Sequence, residues 1–322
     1  MTERLDAFMA RANAAYYANH DPFADFTTSP EISQVFGEIL GLWAAVAWQA
    51  MGAPGEVILA EAGPGRGTLM ADALRAAARV PGFRAALRLH LVETSPRLRA
   101  VQAARLPEPV FHDRIEDLPG GPLLLLANEF LDALPIRQFV RHAGGLGERH
   151  VRDGGFVVLP PAEGEAIEAG VIEEVCEPAR ALAAHLGARL AARGGAALFL
   201  DYGPEHSAPG DSLQALRGGK PADPLAEPGS ADLTAHVDFA ALAAAARAAG
   251  GAVHGPVPQG VFLTRLGLFQ RTGVLARTQP PLRAAALVEA ARRLAEPDRM
   301  GRLFKAMAIC DPTLPPLPGF AA

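Results

Sequence analysis

The sequence predicts an α/β fold built on a doubly wound, mostly parallel sheet. Three observations lead there. Residues 56–69, EVILAEAGPGRGTL, place an apolar run, then a carboxylate, then glycines at 63, 65 and 67, ahead of an alanine- and leucine-rich segment of helical character. That order is strand, glycine turn, helix. Further apolar runs alternate with helical segments along the chain, the pattern of a parallel sheet with helical crossovers. Polar clusters follow the ends of these runs, where ligands sit in open α/β sheets. A chain of 322 residues suits one large elaborated domain or two.

Each element has its own signal. Leu5, Phe8, Met9, Ala12 and Tyr16 recur at helical spacing within 4–19. His20 to Thr28 reads as a loop holding Pro22, Phe23 and Phe26. A helix should follow to about Met51 and stop at Gly52, with Thr28 or Ser29 as cap, Pro30 in the first turn and Glu31 favouring the helix dipole. Its predicted apolar side is Val35, Ile39, Leu42, Val46 and Met51. After the glycine turn, Leu87 to Val92 is a second strand ending in Glu93, and a helix runs from Thr94 through Gln102. Pro109 to His112 is a short third strand, and Asp113 to Pro119 an acidic loop. Pro122 to Ala127, PLLLLA, is a fully apolar fourth strand that delivers Asn128, Glu129 and Asp132. Short runs near 137–142, 148–152 and 155–159, separated by Gly-rich turns, read as a β-meander. Cys176 to Arg193 is helical, and Ala196 to Asp201 is a fifth strand. Residues 204–235 form a long Gly-, Pro- and polar-rich loop, of a length usually functional or disordered. Helices are expected at 238–249, 261–276 and 282–294, and strands at 253–257 and 303–309. The predicted division is an N-terminal helical cover (1–52), a cofactor-binding domain (53–136 and 194–322) and an inserted subdomain (137–193).

Composition narrows the function. The net charge of −5 gives no global electrostatic case for nucleic-acid binding. Two distant cysteines, Cys176 and Cys310, signal neither a zinc site nor a disulfide framework, and the scattered histidines suggest no metal. No apolar stretch reaches the roughly 20 residues of a membrane span. The first residues lack the apolar core of a secretory signal, so the cytoplasm is the expected compartment.

Two cofactor classes use a glycine turn of this kind. The dinucleotide fingerprint G-x-G-x-x-G needs its third glycine one residue later than Gly67. The spacing here, E-x-G-x-G-x-G, resembles the first motif of S-adenosylmethionine methyltransferases, with Glu61, Gly63, Pro64, Gly65, Gly67 and Thr68 as the cofactor turn. Glu93 is placed to take both ribose hydroxyls, and Asn128 joins the same site. Thr28, Ser29 and Gln34 are expected to cap it from the N-terminal helix.

The strings TTSPEISQVFGE, GPGRGTLMAD, NEFLDALP, DYG, DLTAHVDF, QGVFLTRLG and GRLFKAMAI resemble the MidA-like family, from about Tyr16 to Ile309 and in order. The chain departs from the family at Ala62, where a bulkier residue is usual, and in the short segment Pro22 to Phe26. The resemblance implies a class I S-adenosylmethionine methyltransferase fold with an N-terminal helical cover and an inserted subdomain. It implies kinship to the mitochondrial arginine methyltransferase that assists assembly of respiratory complex I. For those mitochondrial members it implies symmetric dimethylation of an arginine in a complex I subunit. A protein substrate is therefore expected. A guanidinium stays protonated in neutral water, so it needs carboxylates to hold it. Glu129 and Asp132 are the natural candidates, by position analogous to the paired acids of arginine methyltransferases. His236, with Asp201 and Tyr202, is expected in the same pocket, orienting the substrate or pairing with an acid. A second class stays open: an assembly or chaperone-like binding protein on this fold.

Overall fold

The computed structural model describes residues 2–20, 27–142, 145–159 and 170–320. The predicted loop residues Pro22, Phe23 and Phe26 lie outside them. In chain order the elements begin with β1 (Thr2–Arg4), α1 (Leu5–Asn19), α2 (Ser29–Ile32), α3 (Gln34–Ala50), β2 (Val57–Ala62), α4 (Thr68–Ala77), α5 (Phe83–Ala86), β3 (Leu87–Val92), α6 (Pro96–Arg105), β4 (Val110–His112) and β5 (Leu123–Asn128). They continue with β6 (Arg137–His142), β7 (Gly145–Arg152), β8 (Gly155–Leu159), β9 (Ile172–Val175), α7 (Glu177–Arg193), β10 (Gly195–Tyr202), β11 (Gln214–Arg217), β12 (Lys220–Ala222) and β13 (Asp232–Thr234). The last are α8 (Phe239–Ala248), β14 (Ala252–Pro258), α9 (Gln259–Arg265), α10 (Leu268–Ala276), α11 (Pro281–Ala295) and β15 (Phe304–Cys310).

Seven strands form the main sheet in the order β14-β15-β10-β5-β2-β3-β4. The run from β4 to β10 is parallel, and β15 pairs antiparallel with both β10 and β14. From β2 the chain winds outward through β3 and β4, then returns to build β5 and β10 on the other side. The switch point therefore lies between β2 and β5, in register from Ile58↔Leu123 to Ala62↔Ala127. A crevice opens beyond the carboxyl ends of strands at such a point. Both strands are buried throughout, which is why they read as unbroken apolar runs. Leu124 and Leu126 pack with α3 and α4 in one core, and Leu123 and Leu125 with α7 and α8 in the other. Fully burying each of these leucines is worth roughly 1.5–3 kcal/mol.

A second assembly flanks this sheet. The meander appears as β1-β7-β6-β9 with β8 on β7, and β12-β11-β13 make a small sheet of their own. Both pack on the apolar side of α1 through Leu5, Phe8, Met9, Val151, Ala215 and Leu233. Of the segment expected to form the insertion, the strands join this assembly, whereas α7 lies against the main sheet and α8.

Several expectations need correction. The long helix before the glycine turn is two helices, because Ser33 is extended at φ −152°, ψ 126° and its hydroxyl accepts the Val35 N–H at 3.2 Å. On α3 the predicted Val35 and Ile39 are buried, but Leu42 and Val46 are 41% and 43% exposed, and Phe36, Leu40, Trp43 and Ala47 complete the core face. The helix expected over 261–276 breaks at Gly267, whose φ of +89° starts α10 afresh. The long loop after Asp201 carries β11, β12 and β13. The sheet is mostly parallel as predicted, with an antiparallel edge at β14 and β15.

Candidate active site

The strand ends at the switch point open into a cavity of about 870 Å³. The glycine turn forms its floor. Gly63 and Gly65 hold φ +64° and +53°, a region L side chains avoid. A Cβ on Gly63 would also come within 3.1 Å of the Phe130 ring. The turn thus keeps bare backbone against the cavity, and Gly67, at φ +73°, starts α4.

Two carboxylates face this floor. Glu61, next to last in β2, is 3% exposed, and its Oε2 has no hydrogen-bond partner among the described residues. Burial pushes its pKa up to about 8, aided by the nearby Glu93 charge and opposed by the Met70 N–H. Glu93 follows β3. Its Oε1 accepts the Ser95 N–H at 2.8 Å, and its Oε2 accepts from Gln102 Nε2 at 3.2 Å. Burial raises its pKa against those donors. Gln102 also donates to the Gly65 carbonyl at 2.7 Å, so the carboxylate and the turn are tied together.

At the end of β5 the backbone turns sharply. Glu129 holds φ +51°, a costly conformation for a residue with a side chain, and such strain gathers at functional sites. Its Oε1 accepts the Ser29 N–H at 3.0 Å and Asn128 Nδ2 at 2.9 Å. Burial raises its pKa, with those donors pulling the other way. Asn128 Oδ1 is buried with no partner among the described residues. Asn128 and Glu129 both line the cavity.

Asp201 fixes this turn from behind. Its Oδ2 accepts the N–H groups of Phe130 at 3.1 Å, Leu131 at 2.8 Å and Asp132 at 3.3 Å, and its Oδ1 accepts that of Tyr202 at 2.9 Å. Its expected place in the pocket is therefore corrected to one beneath it. Asp132 is buried beside Asp201, Asp232 and Glu129; burial first, then those charges, drives its pKa well up.

The other expected residues divide. Pro64, Thr68 and Thr28 line the cavity, and the Thr68 hydroxyl donates to Glu31 Oε1 at 2.6 Å. Ser29 is fully buried and reaches the site through its N–H to Glu129. Gln34 turns away to donate to Glu38 at 3.2 Å, because the break at Ser33 rotates it off the cavity. Tyr202 is held outside the cavity, its hydroxyl donating to Thr234 Oγ1 at 2.7 Å and accepting from Gln214 at 2.9 Å. His236 is not brought in either. It is exposed on a second, smaller cavity, with its ring edge-on to Tyr202 at 5.6 Å.

Sequence reasoning missed one wall. Asn13, Ala14 and Tyr17 of α1 line the cavity, and the Tyr17 hydroxyl donates to Asp232 at 2.8 Å. Tyr17 carries no local motif; its only signal is that it sits one residue after the buried Tyr16. Phe130 and Leu134 add apolar surface beside the turn.

Comparison with known proteins identifies the family. Residues 39–257 match a family described as S-adenosyl-L-methionine-dependent methyltransferase. The chain belongs to that family. Its relatives include protein arginine methyltransferase NDUFAF7, mitochondrial, of Danio rerio, 36% identical over 91% of this chain and 79% of that protein. The human protein of the same name is 32% identical over 96% of this chain and 79% of its own length. A Burkholderia thailandensis protein crystallised with S-adenosyl-homocysteine superposes with a TM-score of 0.82 at 28% identity, covering 100% of this chain and 89% of that one.

The fold is that of an S-adenosyl-L-methionine-dependent methyltransferase, and S-adenosyl-L-methionine is its cofactor. This methyltransferase's cavity fits the cofactor by its own chemistry. An unpartnered buried carboxylate oxygen on Glu61 and an unpartnered amide oxygen on Asn128 await donors such as the ammonium of a methionine tail. Gly63 and Gly65, at positive φ, leave bare backbone against the cavity. The relatives' mitochondrial names overturn the cytoplasmic expectation. That expectation rested on the lack of a secretory signal and of an apolar span, which cannot distinguish compartments within the cell. No helix among the described residues is long and apolar enough to cross a membrane.

Proposed function

We propose that this enzyme methylates arginine side chains of a protein substrate, with Glu129 holding the guanidinium. Following the family resemblance, the product is a symmetric dimethylarginine and the target a respiratory complex I subunit or a similar protein. The observation that carries this reading is the Glu129 carboxylate, buried in the cavity wall at a strained turn past the central strand. A guanidinium entering a water-poor cavity needs such an anionic partner.

The cofactor supplies an electrophilic methyl group on a sulfonium. In the proposed site Glu61 and Asn128 hold the methionine tail, Glu93 the ribose, and the Gly63–Gly67 backbone the adenosine. Glu129 is already oriented by Ser29 and Asn128 on Oε1, and the other carboxylate oxygen keeps its acceptor capacity for the guanidinium. As nitrogen gains the methyl and the carbon–sulfur bond breaks, the guanidinium sheds a proton. Glu129 takes it, helped by burial that raises its affinity for protons. Asp132 positions this turn from the cluster beneath rather than touching substrate.

Glu129→Gln keeps the shape and removes the charge. It should leave cofactor affinity by calorimetry nearly unchanged and slow single-turnover methyl transfer by ~10²–10³, the scale for a lost preorganised electrostatic group. Labelled methyl groups on lysate protein, located by mass spectrometry, read the residue modified. Lost cofactor binding would make Glu129 a cofactor ligand. The absence of any labelled protein would favour the binding-protein alternative.

A further inference from the structure

A second cavity of about 420 Å³ lies on the other side of the segment that follows β5. Leu131 and Ile136 line it, while Phe130, Ala133 and Leu134 line the large cavity, so one short stretch of chain is the wall between them. Three of the strings that carry the family resemblance meet there: Gly203 of DYG, His236 of DLTAHVDF, and Arg302 with Lys305 of GRLFKAMAI. None of these reaches the large cavity.

The second cavity is lined by both cations and acids, and its cations are the groups left without a charged partner. Its cations are Arg180, Arg302 and Lys305. Among the described residues neither guanidinium has an ion pair or a side-chain hydrogen bond. Lys305 is 6% exposed; its ammonium donates to the Arg302 and Leu303 carbonyls at 2.6 and 3.2 Å, which leaves a third proton. The cavity's two acids are each held by uncharged donors and keep their charge, so three cations stand against two acids. Glu174 accepts from Gln138 at 2.7 Å and from the Ser212 N–H at 2.9 Å, and it is also bonded by the Ser212 hydroxyl. Asp238 accepts the Ala241 N–H at 2.9 Å and the Ser207 hydroxyl at 2.8 Å. The first turns of the 17-residue α7 and the 10-residue α8 also border the space, their positive ends already complemented by Glu177 and Asp238.

We propose that this cavity is an anion subsite that receives an acidic side chain of the polypeptide substrate while its arginine occupies the large cavity. The reading rests on the arginine assignment above. Leu131, Ile136 and Leu242 would seat the stem of the acidic residue, and Arg180, Arg302 and Lys305 its carboxylate. His236 then belongs to substrate selection rather than to the methyl-transfer centre.

The test uses the full-length enzyme saturated with S-adenosylhomocysteine. The probes are fluorescent peptides with a central arginine and aspartate placed in turn at each flanking position. Matched controls replace that aspartate by asparagine or the arginine by glutamine. One register of aspartate should bind about two- to fivefold tighter than its asparagine control, the scale of a partly exposed ion pair. The preference should vanish in Arg180→Glu/Arg302→Glu, with S-adenosylhomocysteine affinity unchanged. Equal binding of aspartate and asparagine peptides at every position, or a preference that survives the double variant, overturns the subsite. So does binding of free inorganic phosphate or citrate that the double variant abolishes while the peptides ignore it. A separate result, indifference to replacing arginine by glutamine, overturns the arginine reading itself.

Discussion

The large cavity has two walls built on different principles. The sheet wall is assembled from neighbours in sequence: β2, the glycine turn and α4 are one continuous stretch, and Glu61, Gly63 and Thr68 lie within it. The cover wall is assembled across the whole chain. Asn13 of α1 donates to the Ala133 carbonyl at 3.0 Å and the Leu233 carbonyl at 2.8 Å, and accepts the Leu233 N–H at 3.0 Å. Tyr17 bonds Asp232, and Ser29 bonds Glu129. The sheet wall is therefore held by the core of the domain. The cover wall is tied to the main sheet's strand ends by these buried polar contacts, while the apolar side of α1 packs on the second assembly.

Breaking the floor should have the largest effect. In Gly65→Val a branched side chain must adopt φ +53°, where only glycine is comfortable, and it intrudes on bare backbone facing the cavity. Strain of about 1–3 kcal/mol plus the intrusion should weaken cofactor binding about a hundredfold or abolish it, in a protein that still folds. Calorimetry with S-adenosyl-L-methionine on a variant of normal circular dichroism reads this. Retained affinity would move the cofactor off the turn.

Loosening the cover should act more gently. Asn13→Ala leaves buried backbone groups at Ala133 and Leu233 short of partners, a cost of about 1–3 kcal/mol. Hydrogen exchange should rise in α1 while β2, β5 and β10 keep their protection, and cofactor affinity should fall by less than in the floor variant. Equal loss of protection in the main sheet would show that the cover is part of the core and that the two walls are one cooperative unit.

The same contrast explains what could be read from the sequence. The glycine turn, the PLLLLA strand and Glu93 are legible because strand, turn and helix leave periodic signatures a few residues long. Glu129 is legible as a residue past a buried strand, but its positive φ is not, since Asp201 imposes it from 69 to 71 residues away. The break at Ser33 hides because a serine that caps a new helix looks like a serine within an old one. The pairing of β1 with β7 is invisible because only tertiary contact gives Thr2–Arg4 a strand partner at His150–Arg152. His236 sits in a motif beside the fifth strand's partners, yet the chain turns it to the other side of the wall.

The smallest effect, and the most direct reading of the floor's chemistry, is its response to pH. Burial lifts Glu61 from an ordinary 4.5 to about 8. Without cofactor the folded chain therefore holds a proton there that the unfolded chain releases above pH about 4.5. The stability this group contributes is full below that pH and is lost as pH rises through about 8, at up to about 1.4 kcal/mol per pH unit. A cationic methionine tail reverses the preference, because the carboxylate form then gains a partner. Cofactor binding below pH about 8 should release a proton, and affinity should climb with pH until Glu61 is ionised without help. Calorimetry in buffers of different ionisation enthalpy measures that proton directly. Glu61→Gln should abolish the release, flatten the fall in apo stability and weaken binding, since an amide cannot pair with an ammonium as a carboxylate does. A binding reaction that moves no proton at pH 6–7 would mean that the cofactor's charged end lies away from β2, leaving Asn128 and Glu129 to hold it.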